Sequence, residues 1–311
     1  MLEVNRIAKL YNTSEFTVIN KIDSSRGESD KRHTFLLKFA DNQELAVKVC
    51  RNVFTNHERI YGWQKLCKKY LSLGICCPQI IKSIKGKYSE VIVIENEEYY
   101  VYAEEMKRYK TYDEHNPKLD YEIIKNSVIE SVGVVAANCS ELLPWVSPYC
   151  VYDTFDEEDE VDENYKNAEN FCKTIKKQFQ QYSEYADEIW ELFSYKRKMF
   201  EPVYRMLPKA SFQSDLNPTN ILIDDNMNFA GLIDFNLSGT EAVLCYIILC
   251  EVCGYRLEAG DLEDLTEPKF QKKCDDYLYS NLEIIRKHYR FSEYEKENFC
   301  LCYNTVYPFS A

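Results

Sequence analysis

The hydrophobic period of this chain changes near residue 106, and a chain that changes period must build two kinds of layer. From Phe16 to Ala103 the apolar runs are short and β-rich: FTVINKI, HTFLLKFADNQELAVKVC and EVIVIENEEYYVYAEEM. In the second run ADNQ supplies a turn between two strands, and NEE does the same in the third, so both predict hairpins. Between them TNHERIYGWQKLCKKYLSLG starts on Thr/Asn, carries Ile60, Trp63, Leu66, Cys67, Tyr70 and Leu71 at helical spacing, and closes on Gly74. A small sheet with one helix is expected. After Met106 apolar residues recur at i, i+3 and i+4 in YEIIKNSVIESVGVVAANC and in the long NAENFCKTIKKQFQQYSEYADEIWELFSYKRKMFEPVYRML, where Pro202 is expected to break the run. AVLCYIILCEVCGY, KFQKKCDDYLYSNLEIIRKHY and SEYEKENFCLCYNTVY are further helix candidates. The expected class is therefore α+β: a sheet lobe over residues 1–106 and a larger, mainly helical lobe over 107–311, with one short hairpin at Asn220–Asp234.

Composition removes several functions. The formal charge is −13, which gives duplex binding no electrostatic footing, so no nucleic-acid partner is expected. The thirteen cysteines are scattered and the four histidines lie far apart, so a zinc site is not indicated and a reduced, intracellular chain is. The N-terminus lacks an apolar signal core, and the run Ala242–Cys250 is well short of the ~20 residues that span a bilayer. A soluble, cytoplasmic protein with no membrane partner is the expectation. Charge divides the chain as period does: residues 1–106 carry 16 Lys+Arg against 14 Asp+Glu, net +2, leaving 22 against 37, net −15, for the remainder.

The stretch FQSDLNPTNILID, residues 212–224, concentrates polar groups before a short apolar run. Asp215 and Asn220 are five apart, and Asp234 follows in GLIDFN. A turn at Asp224-Asp225-Asn226 would pair Ile221–Ile223 with Ala230–Ile233 and bring Asp215, Asn220 and Asp234 to one end of the hairpin. One carboxylate with one amide is a hard-oxygen pair suited to Mg²⁺, which takes waters and substrate phosphates for the rest of its shell. The remaining carboxylate can orient a hydroxyl, the division of labour that phosphoryl transfer requires.

SDLNPTNILID with LIDF resembles the catalytic loop and metal-binding Asp-Phe of the aminoglycoside phosphotransferase and choline kinase family, whose two-lobed fold is that of the protein kinases. The resemblance implies a bilobal protein-kinase-like fold, with Asp215 as the catalytic Asp and Asn220 and Asp234 as Mg²⁺ ligands. Lys48 in LAVKV stands where the phosphate-pairing lysine lies, Glu58 on the next helix is placed for its ion pair, and Ala103–Met106 resembles the hinge that meets the adenine, which assigns Glu104 and Met106 to the nucleotide. The co-substrate implied is ATP or GTP. Singly, each residue has a plainer reading: Lys48 and Glu58 as solvated surface charges, Asp215–Asn220 as a turn, Asp234 as a cap. Their occurrence together and in kinase order favours the functional one.

The chain departs from the family pattern at several points. Gln213-Ser214 stand where His-Gly is usual, residue 236 is Asn where Gly is common, and DSSRGESDKRH holds no G-x-G-x-x-G. Protein-kinase marks are missing too, with Asn217 two residues after Asp215 and no Ala-Pro-Glu. A small-molecule acceptor is favoured over a protein. Eight of the eleven residues 153–163 are acidic, so a cationic acceptor such as an aminoglycoside or amino alcohol fits, against the plainer reading of a solvated acidic run. A kinase-like binding module without catalysis is the alternative, and a protein kinase the third reading.

Overall fold

The computed structural model describes residues 4–113, 116, 118–147, 163–249 and 267–309. Its contacts form two compact units: Met1–Tyr112 with Asn220–Asn226 and Ala230–Asn236, and Asp113–Thr219 with Met227–Phe229 and Leu237–Ala311. In chain order the first unit builds α1 (Val4–Ala8), β1 (Phe16–Asp23), β2 (Lys31–Phe39), β3 (Glu44–Arg51), α2 (His57–Ser72), β4 (Ile80–Ile81), β5 (Glu90–Ile94), β6 (Glu97–Glu105) and β7 (Lys110–Thr111). The second begins with α3 (Tyr121–Asn138), α4 (Glu163–Gln178), α5 (Ser183–Met206) and β8 (Lys209–Phe212). The chain then returns to the first unit for β9 (Ile221–Ile223) and most of β10 (Phe229–Leu232). It completes the second with β11 (Gly239–Ala242), α6 (Val243–Leu249), α7 (Pro268–Ile285) and α8 (Glu293–Val306).

In the first unit six antiparallel strands run β1-β2-β3-β6-β4, with β5 also on β6. Both expected hairpins are present. Asn42 turns β2 into β3 at φ 67, and Glu95-Asn96, at φ 51 and 68, form a two-residue loop whose left-handed pair matches the twist of β5 and β6. Alternation then sorts the sheet's two faces. Leu45, Val47, Val49, Val101 and Ala103 pack with Phe35, Leu37 and Phe39 under Ile7, Ala8 and Tyr11, and the buried Tyr11 hydroxyl donates to the Val101 carbonyl at 2.9 Å. The opposite face carries Lys48, Tyr102 and Glu104. There α2 covers it, with Trp63 against Tyr102 at 5.8 Å between ring centroids. Asn56 caps α2 by accepting from the Arg59 N–H at 2.9 Å, and Gly74 ends the turn at φ 83, a conformation that spares glycine the Cβ penalty.

β9 sits between β10 and β7. Cys76 docks beside this hairpin in a parallel bridge to Gly231: the Cys76 N–H donates to the Ala230 carbonyl at 3.1 Å, and the Leu232 N–H donates to the Cys76 carbonyl at 2.8 Å. A Cβ at 231 would lie 1.8 Å from the Cys76 carbonyl oxygen. Only glycine allows the approach.

Among the described residues the second unit is mainly helical, with the β8–β11 pair beside the helices. Its long apolar run does not break at Pro202, as the sequence suggested. It breaks at a 3₁₀ turn, Gln180–Tyr182, while Pro202 lies inside α5 near its C-terminal end. There the ring forfeits one backbone bond and the last turns tolerate it. Among the described residues no helix is long and apolar enough to cross a membrane.

Candidate active site

β3 aims Lys48 into the α2-covered face, where it is buried. Its Nζ lies 3.1 and 3.2 Å from the two Glu104 carboxylate oxygens and 2.8 Å from Asp234 Oδ1, with the Tyr102 ring 5.7 Å away. Strand register explains the Glu104 contact, because Lys48 pairs with Tyr102 and Ala46 with Glu104, which makes Lys48 and Glu104 diagonal neighbours on one face. Burial alone would favour the neutral amine, but Asp234 and Glu104 outweigh it and hold Lys48 protonated, its pKa well above the ordinary lysine value. Burial raises the Glu104 pKa despite Lys48, and Asp234 adds to the rise. One ammonium between two carboxylates leaves a net negative cluster that favours a further cation.

Glu58 was expected to hold this lysine, and it does not. It sits exposed in the first turn of α2, where a carboxylate suits the helix N-terminus, and Glu104 occupies the lysine's side instead. Glu104 thus contributes a side chain where the hinge resemblance implied backbone. Met106 follows it, its N–H donating to the Glu44 carbonyl at 3.2 Å.

Asn220 and Asp234 stand at the open end of the β9–β10 hairpin, which is closed by the Ile233 N–H donating to the Asn220 carbonyl at 2.9 Å. Asp234 adopts φ 60, a left-handed conformation that Asp tolerates better than most residues. The next side chain, Phe235, is buried edge-on against Tyr70 of α2 at 5.1 Å, which anchors the turn that presents Asp234. Asp234 remains 36% exposed while bonded to Lys48, so its carboxylate is open on one side. Among the described residues no three His, Cys, Asp or Glu side chains are grouped to hold a metal. The oxygens that could hold a metal here are the Asn220 amide and the Asp234 carboxylate; two residues on, Asn236 Oδ1 is buried without a hydrogen-bond partner. Hard oxygens of this kind, too few for a closed cage, fit Mg²⁺ that arrives with a nucleotide's phosphates.

Arg32 escaped the sequence reading. It lies on the Lys48 face of the sheet, paired with Cys50, close enough for its charge to act on Asp234. Asp30 grips it through two bonds of 2.7 and 2.6 Å, and Asn52 braces Asp30 at 3.0 Å. The strand parity of Arg32, Thr34, Lys48 and Cys50 was the available signal.

Asp215 belongs to the second unit. Its N–H donates to Gln213 Oε1 at 2.8 Å, and Asn217 Nδ2 donates to its Oδ1 at 2.6 Å. Asn217 is itself oriented by the Thr219 N–H, at 3.1 Å, and by the Thr219 hydroxyl. Gln213 is fully buried, and its carbonyl accepts from Ser238 Oγ at 3.4 Å. Ser214 takes φ 69, a region that glycine occupies without strain. The acidic run lies outside the described residues, apart from Glu163 at the start of α4.

No protein-family model matches the sequence, and no curated protein matches it. Solved structures do. An amicoumacin kinase in complex with AMP-PNP, Ca²⁺ and Ami is 12% identical with a TM-score of 0.55, covering 96% of this chain and 81% of that one. A microcompartment-associated aminopropanol kinase is 9% identical with a TM-score of 0.50, covering 99% and 88%. The chain has the α+β, protein-kinase-like fold of these small-molecule kinases.

Proposed function

We propose that the chain transfers the γ-phosphoryl group of ATP or GTP, as its Mg²⁺ complex, to a hydroxyl of a small cationic acceptor. The observation that carries this reading is the buried Lys48 ammonium held between Glu104 and Asp234, in a chain with the fold of small-molecule kinases. Lys48 would keep Glu104 and exchange Asp234 for phosphate oxygens, with Arg32 adding positive charge where no glycine-rich loop exists. The exchange frees Asp234 Oδ1 to join Asn220 in holding Mg²⁺, which when bound neutralises the phosphates. Asp215, fixed by Asn217 and by Gln213, would orient the acceptor hydroxyl and take its proton as the acceptor oxygen bonds to the γ-phosphorus and the bond to the β-phosphate oxygen breaks. A positively charged acceptor suits the net −15 of residues 107–311, and an amino alcohol is what one fold neighbour is named for.

A non-catalytic nucleotide-binding module is the second reading, favoured by Gln213 and by the left-handed Ser214. One assay separates them: Mg²⁺-dependent nucleotide consumption across aminoglycosides, amino alcohols and sugars. The kinase reading expects turnover on a member of the panel, a ~10²–10⁴-fold lower kcat for Asp215→Asn, and an unchanged thermal shift of that variant by Mg²⁺-nucleotide. Turnover by Asp215→Asn equal to wild type would remove Asp215 from the chemistry. Binding without transfer to any acceptor would support the module.

A further inference from the structure

α5 presents two stripes, and its own unit uses only one. Ala186, Phe193, Arg197, Phe200 and Tyr204 are buried, in a helix that packs on α4 and α8. Beside them Tyr182, at the end of the preceding 3₁₀ turn, and Tyr185, Ile189, Leu192, Met199 and Met206 on α5 are 36 to 72% exposed. Single exposed apolar residues need no explanation, but a contiguous row of them along about 36 Å of helix marks an interaction surface. Their spacing is that of a coiled-coil seam: Tyr185, Leu192, Met199 and Met206 recur every seven residues, and Tyr182 and Ile189 fill the alternate position. Lys196 is the one charged residue in the row.

The charges along the seam name the occupant. Glu184, Asp187, Glu188 and Glu191 lie on the N-terminal half of α5, and Lys196, Arg197, Lys198 and Arg205 on the C-terminal half, with Glu201 its one acid, paired to Arg205. A helix macrodipole favours that polarity only within the first and last turns, yet Glu188, Glu191, Lys196 and Lys198 lie inside them. A parallel copy would set acid against acid. An antiparallel copy sets the acidic half of one helix against the mainly basic half of the other, with Leu192 of one copy against Met199 of the other and Tyr185 against Met206. We propose that the exposed stripe of α5 is an isologous homodimer interface, two copies of α5 crossing antiparallel about a two-fold axis near Tyr195–Lys196. This inference does not depend on the kinase reading.

Sedimentation velocity on the full chain over a concentration series tests it. Wild type is expected to be dimeric, and Leu192→Glu with Met199→Glu is expected to halve the measured mass while far-UV circular dichroism stays unchanged. Glu188→Lys with Glu191→Lys should give monomers, as should Lys196→Glu with Lys198→Glu. A chain carrying all four charge reversals should dimerise again. A wild type that stays monomeric at every soluble concentration overturns the proposal. So does a dimer that survives the Leu192/Met199 pair or either charge reversal, because another surface then holds it.

Discussion

Ser214 holds a left-handed backbone at φ 69, where a Cβ costs ~1–2 kcal/mol and glycine costs nothing sterically. Set against the greater freedom glycine has in the unfolded chain, Ser214→Gly is expected to raise unfolding free energy by up to ~1 kcal/mol in urea titration, and Ser214→Ala to give no gain. A loss with glycine would mean that the Ser214 hydroxyl, bonded to the Phe212 carbonyl at 3.3 Å, secures the loop. Lys48 gives a second residue-level outcome. Lys48→Met leaves Glu104 buried without its cation, a change that costs about 3 kcal/mol near neutral pH. Burial already raises the Glu104 pKa, so the folded variant keeps a proton that the unfolded chain releases near pH 4.3. Its stability is full below that value and falls as pH rises toward the higher folded one, so its melting temperature declines with pH above the ordinary carboxylate range more steeply than in wild type. Equal pH slopes would disconnect Glu104 from Lys48. That Lys48 and Asp234 meet is a geometric fact, and both residues are singled out in the sequence by their place in the motif order. Glu104 is assigned to the nucleotide by its place in the hinge, but its ion pair with Lys48 was not foreseen, since the two meet only through the register of β3 with β6.

Elements with local signals were the readable ones. Asn56 and Gly74 bracket α2 as turn and cap chemistry demands, and the two hairpins follow their polar turn residues. The break between α4 and α5 carries no Gly or Pro, only Phe179-Gln-Gln-Tyr182 closing through the Tyr182 N–H to the Phe179 carbonyl. Nothing local announces it, while Pro202, which did announce a break, sits where a helix can absorb one. The β9–β10 hairpin was foreseen, but its docking was not, because Cys76 and Gly231 meet across a long sequence separation. Gly231→Ala puts a methyl group into the Cys76 carbonyl and should cost at least ~2 kcal/mol. Since Asp234 follows directly on that strand, the variant should also lose part of the stabilisation that Mg²⁺-nucleotide gives wild type in a melting experiment. A full nucleotide response would show that Asp234 is positioned independently of the bridge.

At the scale of the molecule, the sheet-then-helices order was visible in the change of hydrophobic period, and it is the order found. The unit boundary was less visible, since the reading cut the chain once near residue 106 while the contacts return to the first unit at Asn220. That return bears on how the chain is made. When the ribosome has released Tyr112, the sheet has its strands, yet Lys48 still awaits Asp234, and Cys76 still awaits Ala230 and Leu232. The missing segment emerges only after the helices of the second unit up to α5 and strand β8 have been synthesised, a delay on the order of ten seconds at ordinary elongation rates. Until then Lys48 is held by Glu104 alone and Cys76 has no strand to dock against, so the first unit is completed only after the second is largely made.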